Sequence, residues 1–322
     1  MNDQHPLTFE NGARLDTPPL AELNGALSKF AFQGVVCLLV YGMPRTGKST
    51  ASKVVAERVE GQKAAVVYSA VIKTQKGTFG TLVQSWQLSR GGQMRFPSLK
   101  PENAFVRQVM ADCDEMGTKR VWVLVDESQY LSYEQLIGLK GTLTELAGRG
   151  LAPFAVLFGQ PEMLAKPRLF KSAGDASLVH RFVSHKYRMR GLTRKEYLPV
   201  LNLYDVTQWP DNGPSYTEYF APQHWAKGWR MTNLEPHLLK AFSAVALAKG
   251  QNPDDLPVAY FMEAATSVLQ ELDEQQPDAA KLALMVEIAV NATGLADTYD
   301  FLGDLEARSR EEATTPSRKK PL

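Results

Sequence analysis

Gly42-Met43-Pro44-Arg45-Thr46-Gly47-Lys48-Ser49 sits between an apolar run, Val35 to Tyr41 (VVCLLVY), and a helix-compatible segment, Ser49 to Glu60. The apolar run is continuous rather than alternating, so it reads as a strand buried on both faces, as in a parallel sheet. Gly42 and Gly47 let the backbone curl until its N–H groups converge on phosphate oxygens. The helix starting near Lys48 adds its positive end. The stretch matches G-x-x-x-x-G-K-[ST], in which the Lys48 ammonium reaches the β- and γ-phosphates and the Ser49 hydroxyl holds Mg²⁺. Strand, loop and helix in that order are the context the pattern requires. Gly42, Met43, Pro44, Arg45, Thr46, Gly47, Lys48, Ser49 and Thr50 are therefore the candidate ATP contacts. The side chains of Arg45 and Thr46 fall where identity is loosely constrained, and they receive no separate role.

Working outward, Ala64 to Ser69 (AAVVYS), Val121 to Val125 (VWVLV) and Phe154 to Phe158 (FAVLF) are further strand candidates. Helical segments at Ala21 to Phe32, Asn103 to Met116 and Tyr133 to Arg149 alternate with them. That alternation predicts an α/β fold with a central parallel sheet flanked by helices. The strand at Val121 to Val125 ends in Asp126-Glu127. An Asp at such a strand tip suits Mg²⁺ binding, and the adjacent Glu127 suits a general base polarising the attacking water. On its own the pair could equally cap the next helix. About eighty residues after the phosphate loop, the metal-and-base reading is the stronger. A carboxylate next to the metal ligand favours hydrolysis over phosphoryl transfer, because a kinase must exclude water. The strand at Phe154 to Phe158 leads into Gly159-Gln160-Pro161-Glu162. Gln160 could sense the γ-phosphate or orient the water, and it could equally be an ordinary turn residue before Pro161.

The rest of the chain sets limits. Its 322 residues, 44% apolar and 22% charged, are ordinary for a folded protein with a good core. Lys plus Arg is 36 and Asp plus Glu 35, so the net charge of +1 says nothing about an acidic partner, and any such argument is local. Two cysteines, Cys37 and Cys113, exclude a disulfide framework and a thiolate metal cluster, and the five histidines form no metal-ligand pattern. The polar N-terminus lacks a signal-peptide pattern, and Val35 to Tyr41 is too short to span a bilayer, so a cytoplasmic protein without a membrane partner is expected. Residues 1–24 read as an arm, with a short helix from Pro19, 25–195 as the phosphate-loop core, 196–308 as a smaller α-helical lid domain and 309–322 as a loose tail. The lid helices are expected at His237 to Lys249, Pro257 to Glu274, Asp278 to Ala292 and Ala296 to Arg308.

Taken together, GMPRTGKS, VLVDES and the strand ending FGQPEM resemble the Walker A, Walker B and sensor 1 regions of an AAA+ ATPase. Within that group, DESQYLSYEQL and VLFGQPEML resemble the TnsC/TniB/MuB transposition regulators and the related ExeA-type ATPases. The resemblance covers about residues 30–195. Ser128 departs from the usual Ala of a "DEAQ" motif. The resemblance implies a bacterial, DNA-associated ATPase that assembles with ATP on double-stranded DNA as a ring or helical filament, about six or seven subunits per turn. It implies partners too: a transposase and a target selector of the TniQ or TnsD type. ATP would lie between subunits, with an arginine supplied by the neighbour. Arg181, Arg188 and Arg190 are the candidates, Arg181 first, and Arg230 would be the lid arginine reaching the same ATP.

Charge placement adds a DNA reading. Val71 to Lys100 carries Lys73, Lys76, Arg90, Arg95 and Lys100 and no acid, whereas Gln251 to Ala280 carries seven acids and no base. In TnsC-like proteins the loops near the first block face the DNA backbone, a task that needs charge and hydroxyl donors but no base-reading geometry. Lys73, Thr74, Lys76 and Thr78 are the candidates, followed by Arg90 and Arg95, against the alternative of a solvated loop. Met163 to Lys195 carries nine basic residues and only Asp175 as an acid. Two other functions compete with transposition. An ExeA-type secretion or envelope ATPase would carry a membrane or peptidoglycan-binding extension, which the sequence does not show. A nucleotide-switched interaction module would have negligible turnover, against which the Asp126-Glu127 pair argues. A small-molecule kinase is a weaker fourth reading.

Overall fold

The apolar runs become a sheet because period-two alternation gives each strand two greasy faces. In a computed structural model, which describes residues 5–8, 15–73, 77–91, 99–166, 175–272, 278–301 and 303, the chain divides into two compact units. One is Pro19–Arg190; the other joins Met1–Pro18 to Gly191–Leu322.

The first unit holds five strands: β1 (Cys37–Tyr41), β2 (Ala65–Ala70), β3 (Arg120–Asp126), β4 (Ala152–Gly159) and β5 (Lys186–Arg188). They are all parallel, in the order β2-β3-β4-β1-β5. Around them lie α1 (Pro18–Phe32), α2 (Lys48–Gly61), α3 (Phe79–Ser89), α4 (Pro101–Met116), α5 (Tyr133–Gly148) and α6 (Ala176–Phe182). Alternate residues divide between two cores. Leu39, Val67, Val123, Val125 and Leu157 pack with Phe79, Trp86, Phe105 and Leu139 from α3, α4 and α5. Leu38, Val40, Leu124, Val156 and Phe158 pack with Leu23 and Leu27 of α1 and Val55 of α2. Each such side chain, fully buried, contributes about 1.5–3 kcal/mol.

The sheet order places the site. From β1 the chain crosses toward the β2 edge, whereas from β4 it crosses toward β5 on the other side of β1. Adjacent strands whose connections diverge leave a crevice beyond their carboxyl ends, the usual ligand position in such sheets. Register levels these ends: Tyr41 lies opposite Gly159, and Ala70 opposite Asp126.

Two elements of this unit lack the expected pattern. β5 is three residues, Lys186, Tyr187 and Arg188, with no apolar run to announce it. α3 opens inside the basic block, where Thr78 accepts a hydrogen bond from the Thr81 N–H as its N-cap.

The second unit is helical: α7 (Tyr197–Val206), α8 (Tyr216–Phe220), α9 (Pro222–Ala226), α10 (Glu235–Ala248), α11 (Val258–Glu271) and α12 (Ala279–Ala292). α7 to α9 precede the first helix read from the sequence in this region. Tyr197, Tyr204, Phe242 and Phe261 form its buried aromatic centre. His5 belongs to it as well, buried among the rings of Trp209, Tyr216, Tyr219 and Phe220 at centroid distances of 4.5 to 4.9 Å. Burial pushes its imidazole down to about 4. By length and apolarity the helical run Ala279–Phe301 could cross a bilayer, but its Leu282, Val286, Ala289 and Val290 are buried against the rest of the unit. The expected tail, 309–322, lies outside the described residues.

Candidate nucleotide-binding and hydrolysis site

The loop after β1 is shaped by what its glycines permit. A Cβ at Gly42 would collide with the Met189 carbonyl oxygen, so no other residue fits there. Gly47, at φ 92°, caps α2 from the left-handed region and makes no side-chain cap, and no acid sits in the first turn. The leading N–H groups of α2 thus have no side-chain acceptor, and with the positive helix end they suit an anion. Arg45 also takes a left-handed conformation, φ 61°, though it is not glycine. Thr46 is more constrained than its place in the pattern suggested. It is buried, and its hydroxyl donates to the Met43 carbonyl at 2.9 Å, closing the loop.

Lys48 is buried as well, at 9% exposure. Its ammonium donates to the carbonyls of Gly42 at 2.9 Å and Met43 at 2.5 Å. Burial lowers its pKa to about 8, and the carboxylates of Glu127, Asp126 and Glu162 pull the other way. Charge on this lysine is therefore poorly compensated, which favours a polyanionic ligand.

Asp126 ends β3, buried, about 10 Å across the sheet from β1 at ordinary strand spacing. Its Oδ1 accepts the N–H of Glu127 at 2.9 Å, and its Oδ2 lies 3.5 Å from the Ser52 hydroxyl of α2. From β2 the Tyr68 phenol lies near Asp126 and Ser52, and burial is the main cause that raises its pKa. Ser49 is exposed at the start of α2. A buried carboxylate on the same sheet edge as a helix-terminal hydroxyl is a donor set that fits Mg²⁺. Glu127 is half-buried and sits at φ 54°, ψ 35°, again left-handed and not glycine. The Gln129 side-chain amide donates to its Oε2, and the same amide oxygen accepts the Gln160 N–H at 3.1 Å. Gln160 follows the last residue of β4, so Lys48, Asp126, Glu127 and Gln160 all lie along one sheet edge.

The arginines are dispersed. The Arg181 guanidinium donates to the Thr144 hydroxyl at 2.6 Å, near the end of α5 that runs into the amino end of β4. The phosphate loop leaves the carboxyl end of β1, level with the carboxyl end of β4, so Arg181 does not join the site of its own chain. Arg188 is in register with Tyr41, beside the loop. Arg190 makes a two-pronged ion pair with Glu22 of α1. Arg230, in the helical unit, stacks 3.4 Å above the Trp225 ring and donates to the carbonyls of Trp225 and Trp229.

Of the DNA candidates, Thr74, Lys76 and Arg95 lie outside the described residues. Lys73 is exposed, with its ammonium 5.7 Å from the Tyr130 ring centroid. The Thr78 hydroxyl is the α3 cap described above. Arg90 pairs with Asp112 of α4 through both terminal guanidinium nitrogens, so the acid missing from its own stretch is supplied across the fold. Ser52, Tyr68 and Gln129 were not read as site residues. Gln129 alone had a signal, as part of the DESQ string.

No protein-family profile matches the chain, and no curated protein matches it. Solved structures do. The Aeropyrum pernix ORC2 protein, determined as ADPNP and ADP complexes, matches 90% of this chain over 72% of its own length, with 14% identity and a TM-score of 0.55. Cdc6p from Pyrobaculum aerophilum matches 91% of this chain over 95% of its own length, with 13% identity and a TM-score of 0.40. At these identities the likeness concerns fold, and the first match carries it: the chain has the fold of an AAA+ ATPase, a five-stranded parallel sheet followed by a helical domain.

Proposed function

We propose that this chain is an ATP-hydrolysing, DNA-associated regulator of transposition that assembles with ATP on duplex DNA. The observation that carries the ATPase part is the alignment on one sheet edge of a buried lysine, an uncapped helix start and an Asp–Glu pair. The nucleotides bound to the Aeropyrum pernix ORC2 protein support the same ligand class. In this reading the N–H groups of the loop and α2 hold the phosphates, and the Lys48 ammonium moves from the Gly42 and Met43 carbonyls to the β- and γ-oxygens. Ser49 and Asp126 would hold Mg²⁺, which supplies charge neutralisation when bound. Glu127 accepts a proton as water oxygen bonds to the γ-phosphorus, and the bond to the β–γ bridging oxygen breaks. Arg181, turned away from its own loop, is offered as the residue a neighbouring copy uses.

The transposition and DNA parts rest on the likeness of DESQYLSYEQL and VLFGQPEML to TnsC-type regulators and on the first basic block. Lys73 beside Tyr130 brings the start of that block to the turn that follows Glu127. Transposase and a TniQ- or TnsD-type selector are the proposed partners. Electron microscopy of the protein with duplex DNA and a non-hydrolysable ATP analogue tests the assembly. Protein-coated duplex dependent on the analogue is expected, and bare DNA beside monomers would contradict it.

A further inference from the structure

Gln129 has a chemically determined orientation. A carboxylate only accepts hydrogen bonds and a backbone N–H only donates, so the amide must turn its nitrogen to Glu127 and its oxygen to Gln160. One side chain therefore ties the tip of β3 to the tip of β4. Two further observations show that the surroundings are built for it. Glu127 is held in the left-handed region, which a non-glycine residue occupies only when its neighbours over-determine it. At Gly159 a Cβ would lie 2.5 Å from the Ser128 hydroxyl and 3.2 Å from the Gln129 amide oxygen, so the missing side chain is what lets the two turns approach. Lys166 reinforces the same junction, its ammonium reaching from beyond β4 to the carbonyls of Leu131 and Ser128.

We propose that Gln129 is the positioning residue of the general base, its amide holding the Glu127 carboxylate at a set offset from the strand end that carries Gln160. This rests on the hydrolase reading of the site. Any shift of the β4 tip is then passed to the base through one amide, without a contact between Gln160 and Glu127 themselves.

The test uses the full chain with duplex DNA and ATP, comparing wild type, Gln129→Leu and Gln129→Glu. Gln129→Leu is expected to lower kcat about tenfold while leaving the nucleotide Kd within about twofold, because base alignment is lost and the phosphate loop is untouched. Gln129→Glu keeps the length of the side chain but sets an acceptor against the acceptor Glu127, so kcat is expected to fall at least as far, with KM and the nucleotide Kd within about twofold of wild type. A merely structural residue would move nucleotide affinity along with kcat rather than kcat alone. Wild-type kcat in both variants overturns the inference and leaves the hydrolase standing. Loss of nucleotide binding in both variants also overturns it, by showing that the residue holds the fold. Absence of turnover in the wild type removes the hydrolase reading and this inference with it.

Discussion

The loop after β1 and the loop after β2 leave the same edge of one sheet, yet the first is written in the sequence far more firmly than the second. Phosphate binding needs backbone geometry, and geometry restricts residues: no side chain fits at Gly42, and Lys48 is buried where only a long cation can reach. Contact with a DNA backbone needs little more than charge, and charge can be cancelled from elsewhere in the fold. Arg90 shows this, because its acid comes from α4, 22 residues later in the chain. Thr78 shows the other route, a hydroxyl whose oxygen already accepts the Thr81 N–H to start a helix. A strict motif thus restricts its residues, whereas a run of bases leaves them open.

The contrast can be broken at its firm end first. Lys48→Ala is expected to weaken ATP binding by at least about 100-fold, since a desolvated ammonium–phosphate contact is lost, and to abolish assembly on DNA. Fluorescent-nucleotide titration checks it, and unchanged affinity would remove the loop from the site. At the loose end, Lys73→Glu should weaken DNA binding about tenfold, and the slope of log affinity against log salt should fall by about one. Nucleotide affinity should be unchanged, and equal DNA binding by wild type and variant would take Lys73 out of the interface.

Smaller effects sharpen the comparison. Lys48, with a pKa of about 8 in the free protein, is partly deprotonated at pH 8.5. A bound phosphate raises that value, so ATP binding should take up protons, and affinity should fall as pH rises above about 8. Calorimetry in buffers of different ionisation enthalpy reads the uptake, and none at pH 8.5 would show that the lysine is charged throughout. The smallest effect belongs to Arg90→Ala. Its pair with Asp112 is half-exposed on the arginine side, so about 1 kcal/mol of stability is expected to be lost, read by chemical denaturation. DNA affinity should stay within about twofold, and a larger loss would return Arg90 to the interface.

Four strands were legible because each is an apolar run, buried on both faces in β1, β3 and β4, as at Val121 to Val125. β5 was not, because an edge strand of three residues with Lys186 and Arg188 pays no tribute to a core. At the site, Lys48, Asp126 and Glu127 were legible because their chemistry fixes residue type and spacing. Ser52, Tyr68 and Gln129 were not, because they act through contacts between separate strands and helices. Nothing in the local sequence says that Tyr68 of β2 lies near Asp126 of β3, or that an amide two residues after the base grips the neighbouring strand tip.

The central claim is that the carboxylate following Asp126 makes a phosphate loop into a hydrolase. Phosphate release by the wild type and by Glu127→Gln, at saturating ATP with duplex DNA, measures it directly. The account predicts steady release by the wild type and a loss of at least about 100-fold in the variant, with ATP still bound. Release by Glu127→Gln at the wild-type rate would contradict it.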